Sequence, residues 1–380
     1  MKAQHEVADI LNQNQSYLMT DVFNGWQRRT LFALIKCRTA ALGGHIDKCN
    51  HTPCGHLHLS YNSCRNRHCP KCQGHKREEW IGKRAEDLLP VPYYHVVFTL
   101  PSELNQLALY KPVLVYNTLF KTAWATIKGF GENPDFLGAK TGMISVLHTW
   151  GQNLSLHPHL HCIVPGGGIN KKGKWKSVKK KDKYLFPVKR MSVVFRAKYV
   201  AELRKKGIKD QGLFNRLFTK HWVVYAKRPF KHAYHVVEYL GRYTHKIAIS
   251  NHRIKDINKQ EVIFSGKNYK KEGQKQDLIL HPKEFIRRFS LHILPKGFVR
   301  IRHYGFLSST SKRLYLKKLQ EQLGNSKEIK SKLTVYLLCP KCKQGMLQTI
   351  AVFDARGPPK HLLEKIRNQN LKGLKSNVTA

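Results

Sequence analysis

Hydrophobic and polar positions along the chain show two kinds of pattern, one typical of helices and one typical of strands, and together they predict a mixture of both. In residues 1–36, apolar side chains such as Leu18, Val22, Leu31 and Leu34 recur at helical spacing, which is typical of helices with one buried face. The same spacing predicts further helices at 76–89, 103–128, 191–206, 210–219, 232–244 and 281–290.

Short runs rich in β-branched and aromatic residues separate these helical segments and predict strands. The predicted strands are 93–101, 143–150, 159–165, 221–226, 246–254 and 261–267. The lysine-rich segment 170–190 is expected to form a hairpin or loop. Because strands and helices alternate irregularly and many strands have hairpin-like neighbours, the middle of the chain predicts an α+β fold with an antiparallel sheet.

Three regions follow from these patterns. Residues 1–92 combine a helical segment with a cysteine-rich module, residues 93–324 form the α+β region, and residues 325–380 are basic and weakly patterned. No stretch approaches the roughly 20 apolar residues of a membrane span. The N-terminus, MKAQHEVADI, lacks the apolar core of a signal peptide. We therefore expect a cytoplasmic protein with no membrane partner.

The charge of the chain indicates which class of partner it binds. It has 68 Lys and Arg against 24 Asp and Glu, a formal net charge of +44, which indicates a polyanionic partner. Aromatic residues such as Trp175, Tyr184 and Tyr269 lie among the basic ones, a mixture suited to phosphates and stacked, unpaired bases. We expect the partner to be nucleic acid and the protein to associate with the bacterial nucleoid. A ribosome-associated or chromatin-like basic protein, or solvated basic faces without specificity, are the alternatives.

Six of the nine cysteines lie within residues 37–75 and predict a structural zinc site. In CPKC, Cys69 and Cys72 are spaced to present two thiolates to one tetrahedral ion. Cys49 and Cys54, which are less closely spaced, are expected to complete the four ligands. A disulfide is the weaker alternative in a chain without an export signal. Such a site would fold a small basic module that grips DNA.

The ligand set has alternatives. Cys64 and His68 could replace one of the four ligands or help to hold a second ion, and Cys37 and His45 are more distant candidates. A second CPKC motif at residues 339–342 has no later cysteine to pair with. It either pairs with residues elsewhere in the chain or is a remnant.

A histidine pair in HPHLH, residues 157–161, predicts a second kind of metal site. On a strand, residues two apart point to the same face, so His159 and His161 would present two imidazoles to one divalent ion. His157 and His159 form a rival pair. His56 and His58 repeat the pattern, but they lie inside the cysteine-rich module. The pair at 159 and 161 is favoured by its setting, a strand that ends in a Gly-rich turn.

Tyr239 and Tyr243 are four residues apart in a predicted helix and would share one face. A tyrosine oxygen can attack a phosphodiester and retain a covalent 5′-phosphate, and two tyrosines would allow two linked strand transfers. A nearby metal ion would polarise the phosphate. Packing into the core is the ordinary role of tyrosines at this spacing, so the pair alone does not decide the function.

Five segments in order carry a resemblance to a known family. They are SCRNRHCPKCQ, PVPYYHVVFTLP, HPHLH before a glycine run, YLGRYTHK, and FIRRFSLHILPKGFVRIRHYGFL. Together they resemble the two-tyrosine HUH rolling-circle transposases of the insertion sequence ninety-one family, over about residues 10–345. The resemblance implies an HUH endonuclease-like core with an antiparallel sheet and flanking helices, plus an N-terminal zinc-binding module.

The same resemblance implies the chemistry. His159 and His161 would hold Mg²⁺ or Mn²⁺, and Tyr239 and Tyr243 would be the nucleophiles that nick and join single-stranded DNA at transposon ends and target. HUH enzymes commonly add a third polar ligand, for which Gln152 is our candidate. His148 and His235 are its rivals. The first cysteine pair is wider than the family's usual spacing.

Arg300, Arg302 and His303 lie beside an aromatic residue and are candidate contacts to phosphates and bases, or else part of a solvated basic strand. No motif for nucleotide hydrolysis is present, so a host helicase or replication would have to supply single strands. Two other functions remain open. One is a non-catalytic zinc-dependent DNA-binding regulator, and the other is a rolling-circle replication-initiation nickase.

Overall fold

The computed structural model describes residues 3–73, 81, 87–178, 185–227, 230, 236, 241, 246–268, 273–324 and 338–375. The helices are α1 Val7–Gln13, α2 Gln15–Leu18, α3 Gly25–Lys36, α4 Asn105–Tyr110, α5 Pro112–Glu132, α6 Val188–Lys205, α7 Gln211–Thr219, α8 Pro282–Ser290, α9 Ser309–Leu323 and α10 Lys360–Lys375. The strands are β1 Gly44–Cys49, β2 Leu57–Tyr61, β3 Tyr93–Thr99, β4 Gly142–Trp150, β5 Leu156–Pro165, β6 Gly167–Ile169, β7 Trp175–Ser177, β8 Val224–Ala226, β9 Ile254–Ile257, β10 Val262–Asn268, β11 Gln274–Leu280, β12 Ile301–Gly305 and β13 Leu347–Phe353.

The chain divides into two compact units. The central unit comprises Met1–His5 and Gly74–Ile329, and the terminal unit comprises Glu6–Gln73 and Lys330–Ala380. The basic C-terminal residues do not form a region of their own, because β13 pairs with β1 and joins them to the cysteine-rich residues.

A five-stranded antiparallel sheet organises the central unit, in the order β12-β4-β5-β3-β8. One face is apolar and packs against α5 and α6, where Leu147 and Leu160 of the sheet join a core with Phe120 and Phe195. The alternation of side chains on each strand explains this one-sided burial. The sheet with its flanking helices confirms the α+β prediction.

The opposite face of the same sheet is divided along its length. At one end, Tyr93, Ile144 and Ile163 contribute to a second apolar cluster, which also contains Leu316 and Leu319 of α9. At the other end, this face carries histidines of β3, β4 and β5, together with Val97 and Val146, which are both paired with His161. Because directly paired residues project to the same side of a sheet, the strand register gathers these histidines into one group.

Two smaller sheets complete the central unit. A three-stranded sheet has the order β11-β10-β9, and a hairpin joins β6 to β7. The strand predicted at 246–254 is wrong in its extent, because a 3₁₀ turn occupies Asn251–Arg253 and β9 begins only at Ile254. The Arg253 N–H closes this turn on the Ser250 carbonyl at 3.0 Å, and the Arg253 guanidinium donates to the Ser265 carbonyl at 2.7 Å and to the Gln152 carbonyl at 2.6 Å.

A three-stranded sheet, β13-β1-β2, forms the centre of the terminal unit. Its buried apolar cluster is small: Ile46, Leu57 and Phe353, with partly buried Leu362 and Ile366 of α10 packed against it. Polar contacts also hold the C-terminal elements, such as the hydrogen bond from Thr349 Oγ1 to Asp47 Oδ1 at 2.7 Å. The weak pattern beyond residue 325 did not predict β13 or α10.

Within the described ranges, no helix has both the length and the apolar character needed to cross a bilayer.

Candidate metal centres

Three histidines on two neighbouring strands form the first candidate centre. His148 of β4 lies directly opposite His159 of β5, and His161 is two residues further along β5. One ring nitrogen from each of His148, His159 and His161 can lie within 4.8 Å of the others. His148 and His161 are buried. Three imidazole nitrogens on one face of a rigid sheet can bind one divalent ion.

A β-bulge shapes the end of this site. Between the pairs His148↔His159 and Trp150↔Leu156, β5 advances by one more residue than β4, and Pro158 lies in that stretch, where a missing N–H is tolerated. The Trp150 ring stacks on His148, with centroids 4.6 Å apart and an interplanar angle of 20°. The bulge and the stack therefore fix the direction in which the His148 imidazole points.

Hydrogen bonds orient the two histidines of β5. Nδ1 of His159 donates to the carbonyl of His157 at 2.6 Å. Nδ1 of His161 lies 2.8 Å from Nε2 of His95 on β3, and the two rings are nearly parallel. Metal-bound histidines in proteins are commonly held through their second ring nitrogen in this way. In this arrangement Nε2 is the ring nitrogen with which His159 and His161 could hold a metal ion.

Burial keeps these imidazoles neutral. Desolvation lowers the pKa of His159 and of His95 to about 4. It lowers the pKa of His161 well below the ordinary value, and the neighbouring His159, His95 and Lys246 lower it further. The neutral imidazole is the form that binds metal, so the site is ready to accept a cation at neutral pH.

His148, named from the sequence only as a rival, is the third histidine of this group. Gln152 lies in the turn between β4 and β5, where its main-chain carbonyl accepts from Arg253, and its role as a ligand stays a prediction. The other rival, His235, lies outside the described residues, as do Tyr239 and Tyr243.

The three predicted DNA contacts lie on or beside β12, and the two arginines have partners within the protein. Arg300 is buried, donates to the Lys246 carbonyl at 2.9 Å and lies over Trp150. Arg302 lies over the Phe120 ring at 4.1 Å and donates to Asn117. His303 is half-buried opposite Ile144. Because the arginines serve the fold, a DNA contact for these residues stays a prediction.

Four cysteines of the terminal unit form the second candidate centre: Cys37, Cys64, Cys69 and Cys72. The Cys72 sulfur lies 3.5 Å from that of Cys37 and 3.7 Å from that of Cys64. The main-chain N–H of Cys64 also donates to the Cys37 sulfur at 3.4 Å. Cys37 directly follows α3, so this helix delivers one ligand to the CPKC turn.

A third centre contains Cys49, Cys54, Cys339 and Cys342. The Cys49 and Cys342 sulfurs are 3.7 Å apart, and those of Cys54 and Cys339 are 3.8 Å apart. Four sulfurs at about 2.3 Å from a tetrahedral zinc ion lie about 3.8 Å from one another. Both groups of cysteines therefore fit zinc, and all nine cysteines, each within the described ranges, are free of disulfides.

The predicted combination of Cys49 and Cys54 with Cys69 and Cys72 is corrected by this arrangement. The two pairs belong to different groups because β1 carries Cys49 towards β13 and the second CPKC motif. Neither His68, which is buried, nor His45 belongs to either group. From the sequence, Cys37 was only a distant candidate ligand and Cys64 only an alternative one, whereas both belong to the first group. The useful signal was the CPKC motif itself, which occurs twice and requires two partner pairs.

Two family models match parts of this chain. Residues 9–100 match the family model described as "Transposase zinc-binding domain", and residues 142–314 match the one described as "Putative transposase". The first range includes the Cys37, Cys64, Cys69 and Cys72 group, and the second includes the three histidines.

Two relatives extend the similarity over most of the chain. The "Putative transposase y4qJ" of Sinorhizobium fredii (strain NBRC 101917 / NGR234) is 40% identical over 391 residues, which cover 93% of this chain and 97% of the relative. The "Transposase for insertion sequence element IS801" of Pseudomonas savastanoi pv. phaseolicola is 28% identical over 307 residues, covering 77% of this chain and 73% of the relative. This chain therefore belongs to the IS91 family of transposases and carries the family's N-terminal zinc-binding domain.

Proposed function

We propose that this transposase nicks and joins single-stranded DNA at transposon ends through a 5′-phosphotyrosine intermediate, in rolling-circle transposition. The observation that carries the proposal is the group of His148, His159 and His161 on adjacent strands of the central sheet. Regulators that only bind DNA do not need three neutral imidazoles aligned on a rigid face. A nuclease or strand-transfer enzyme can use them to hold a cation, beside which a phosphodiester is cut more readily.

A divalent ion at this site, Mg²⁺ or Mn²⁺, would polarise the scissile phosphate and stabilise the charge that develops on it. The chain's own part is to hold the ligands. Trp150 fixes His148, the His157 carbonyl fixes His159, and His95 fixes His161. Imidazole suits transition metals better than magnesium, which prefers oxygen ligands, so we expect Mn²⁺ to support the reaction better than Mg²⁺.

Tyr239 and Tyr243 are the proposed nucleophiles. The phenolic oxygen of one tyrosine gives up its proton and forms a bond to the scissile phosphorus. The bond from phosphorus to the 3′ oxygen breaks, so the 3′ end leaves as a hydroxyl and the 5′-phosphate stays on the tyrosine. The second tyrosine can accept the second cut. A free 3′-hydroxyl can then attack the phosphorus held on a tyrosine, which forms the new phosphodiester, breaks the bond from phosphorus to the tyrosine oxygen and releases the tyrosine with its proton restored.

Single strands must come from outside the protein, from a host helicase or from replication. Gly168, Gly173 and Lys174 resemble a phosphate-binding loop only superficially, because Trp175 stands where Ser or Thr would bind magnesium. In the structure, Gly168 and Trp175 lie on β6 and β7 of a hairpin, and not on a loop that opens a helix. The net charge of +44 suits the nucleic acid itself.

The test is the capture of the covalent intermediate. The full-length protein is incubated with a labelled single-stranded transposon end and Mn²⁺, and the products are separated under denaturing conditions. We expect a labelled protein–DNA adduct from the wild type and none from the Tyr239→Phe, Tyr243→Phe double variant. Tyr225→Phe is the matched control, because Tyr225 is an exposed tyrosine on β8, and it should retain the adduct.

Three outcomes separate the possible functions. DNA binding without an adduct in the wild type would favour a zinc-dependent regulator. An adduct that persists in the double tyrosine variant would overturn the proposed nucleophiles. An adduct with a replication origin but not with a transposon end would identify a replication-initiation nickase.

A further inference from the structure

The four cysteines at residues 49, 54, 339 and 342 come from opposite ends of the chain, and the fold brings them together. We propose that Cys49, Cys54, Cys339 and Cys342 bind a structural zinc ion of their own. The transposase zinc-binding domain would then be a two-zinc unit that is completed by residues 338–375. This inference is independent of the nicking chemistry.

The antiparallel sheet brings the two pairs together. Cys49, the last residue of β1, is paired with Leu347, the first residue of β13. Next to this pair, Asn50 and Met346 form two hydrogen bonds. The Asn50 N–H donates to the Met346 carbonyl at 3.0 Å, and the Met346 N–H donates to Asn50 Oδ1 at 2.8 Å. The pairing of β1 with β13 therefore sets the relative position of the two cysteine turns.

The second CPKC turn is shaped to surround an ion. The Lys343 N–H donates to the Cys339 carbonyl at 2.9 Å, and the Cys339 N–H donates to the Gly345 carbonyl at 2.8 Å. The Gly345 N–H lies 3.4 Å from the Cys342 sulfur. Lys343 adopts a left-handed conformation, with φ of 57°. Backbone N–H groups directed at a sulfur favour its thiolate form, which is the form that binds zinc.

The turn between Cys49 and Cys54 is equally compact. The N–H groups of Cys54 and Gly55 both donate to the His51 carbonyl, at 2.9 and 3.2 Å, and the Cys49 N–H donates to the His56 carbonyl at 2.9 Å. These bonds direct both sulfurs towards the facing turn. Cys49 then reaches Cys342, and Cys54 reaches Cys339.

The spacing of the sulfurs favours a metal ion over disulfides. A disulfide would need the sulfurs at about 2.05 Å, whereas the two closest approaches are 3.7 and 3.8 Å. These values agree with the sulfur spacing of about 3.8 Å around tetrahedral zinc. The group shares no cysteine with the one at Cys37, Cys64, Cys69 and Cys72, so each can bind its own ion.

The sheet of the terminal unit would gain stability from such a site. The apolar cluster at this sheet is small, with Ile46, Leu57 and Phe353 as the buried members among the described residues, while α1 and α3 bury further apolar residues such as Ile10, Leu11 and Leu31. A cluster of the first size supplies little hydrophobic stabilisation to the sheet itself. Small modules of this kind are commonly completed by a structural metal. A zinc ion at the end of β1 would secure β13, and with it α10, to the N-terminal residues.

The experiment counts thiolate-bound metal in the full-length protein. Metal-free protein is titrated with Co²⁺, and the thiolate-to-cobalt charge-transfer band is followed, because this band does not report the histidine site. We expect saturation at two equivalents for the wild type and at one for Cys339→Ser, Cys342→Ser. Cys37→Ser, Cys72→Ser should also saturate at one. Cys162→Ala, which removes a buried cysteine outside both groups, should retain two.

Zinc analysis of the purified proteins gives a second measurement, in which Cys339→Ser, Cys342→Ser should contain one zinc ion fewer than the wild type. The proposal is overturned if the wild type saturates at one equivalent of cobalt, or if the Cys339, Cys342 variant keeps the zinc content of the wild type. If that variant does not fold, the Cys37, Cys72 variant and the wild-type titration still decide the question.

Discussion

His95 on β3 holds the imidazole of His161 on β5 across the central sheet, with 2.8 Å between Nε2 of His95 and Nδ1 of His161. The two rings are nearly parallel, with an angle of 9° between their planes. A hydrogen bond in this geometry selects one tautomer of His161. The buried His95 is therefore a positioning residue for the proposed metal site, although it is not one of the three grouped histidines.

Replacing His95 should weaken metal binding without abolishing the fold. We expect His95→Phe to lower the Mn²⁺ affinity by about 10- to 100-fold, the usual cost of losing a hydrogen bond that orients a ligand. His95→Gln should recover part of the loss, since its amide oxygen can accept from His161. Isothermal titration calorimetry checks this. His221→Ala, at an exposed position, is the control, and equal affinities for wild type and His95→Phe would refute the positioning role.

The third ligand can be identified with two alanine variants. We expect His148→Ala to lower the Mn²⁺ affinity and the yield of the DNA adduct more than Gln152→Ala does, because the His148 imidazole lies within ligand distance of the other two. Since one lost ligand is a large part of a three-ligand site, the loss for His148→Ala should be at least about tenfold. The reverse order of the two variants would make Gln152 the ligand.

The sequence was informative where the periodicity was strong. The strands that carry the histidines were predicted to within a few residues, because β-branched and aromatic runs with clear ends identify buried strands. The predicted 143–150 and 159–165 correspond to Gly142–Trp150 and Leu156–Pro165. The direction of His159 and His161 to one face also follows from strand periodicity alone.

The partners of these residues depended on register, which a single sequence does not contain. Nothing local to His148 indicates that it lies opposite His159, and a shift of one residue would have turned it to the apolar face. The predicted grouping of the cysteines differs from that in the structure for the same reason. Cys49 was assigned to nearby cysteines, whereas its partner Cys342 lies 293 positions away. Contacts at that separation come from tertiary pairing of β1 with β13, which no local pattern reports.

Acid should destabilise the central unit, partly through His292. Its Nε2 donates to the Leu154 carbonyl at 3.0 Å, and its Nδ1 accepts from Thr149 at 3.1 Å. Burial lowers the pKa of His292 to about 4 from the ordinary 6.5. Between pH 6.5 and 4 the unfolded chain takes up a proton that the folded chain does not. Stability is therefore present above about pH 6.5 and falls as the pH falls towards 4.

The size of this effect follows from the pKa difference. At 1.36 kcal/mol for each unit, His292 accounts for a loss of up to about 3 kcal/mol over this range. Urea unfolding of metal-free protein at several pH values measures it. In His292→Gln, the slope of stability against pH should be shallower than in the wild type. It should not be zero, because other buried histidines still contribute to the pH dependence. Parallel slopes for the two proteins would show that His292 does not contribute.

A single methyl group tests the packing of the second cysteine group. A Cβ atom added to Gly345 would lie 2.4 Å from the Cys49 sulfur and 2.6 Å from Cβ of His51. These distances are too short for any side chain, and the atoms belong to the turn that would bind the ion, so they cannot yield without displacing a ligand. We expect Gly345→Ala to destabilise the terminal unit by about 1–3 kcal/mol, the usual cost of overpacking.

The matched control is Gly129→Ala in α5. A Cβ atom there meets nothing within 4 Å, and alanine in place of glycine in a helix usually stabilises by about 0.5–1 kcal/mol. Thermal unfolding with zinc present should therefore show a lower Tm for Gly345→Ala and an unchanged or higher Tm for Gly129→Ala. Removing zinc with a chelator should reduce the difference in Tm between Gly345→Ala and the wild type, since without zinc the turn next to residue 345 no longer has to hold an ion in either protein. A Gly345→Ala protein with wild-type Tm and wild-type zinc content would contradict the close packing of Gly345 against Cys49.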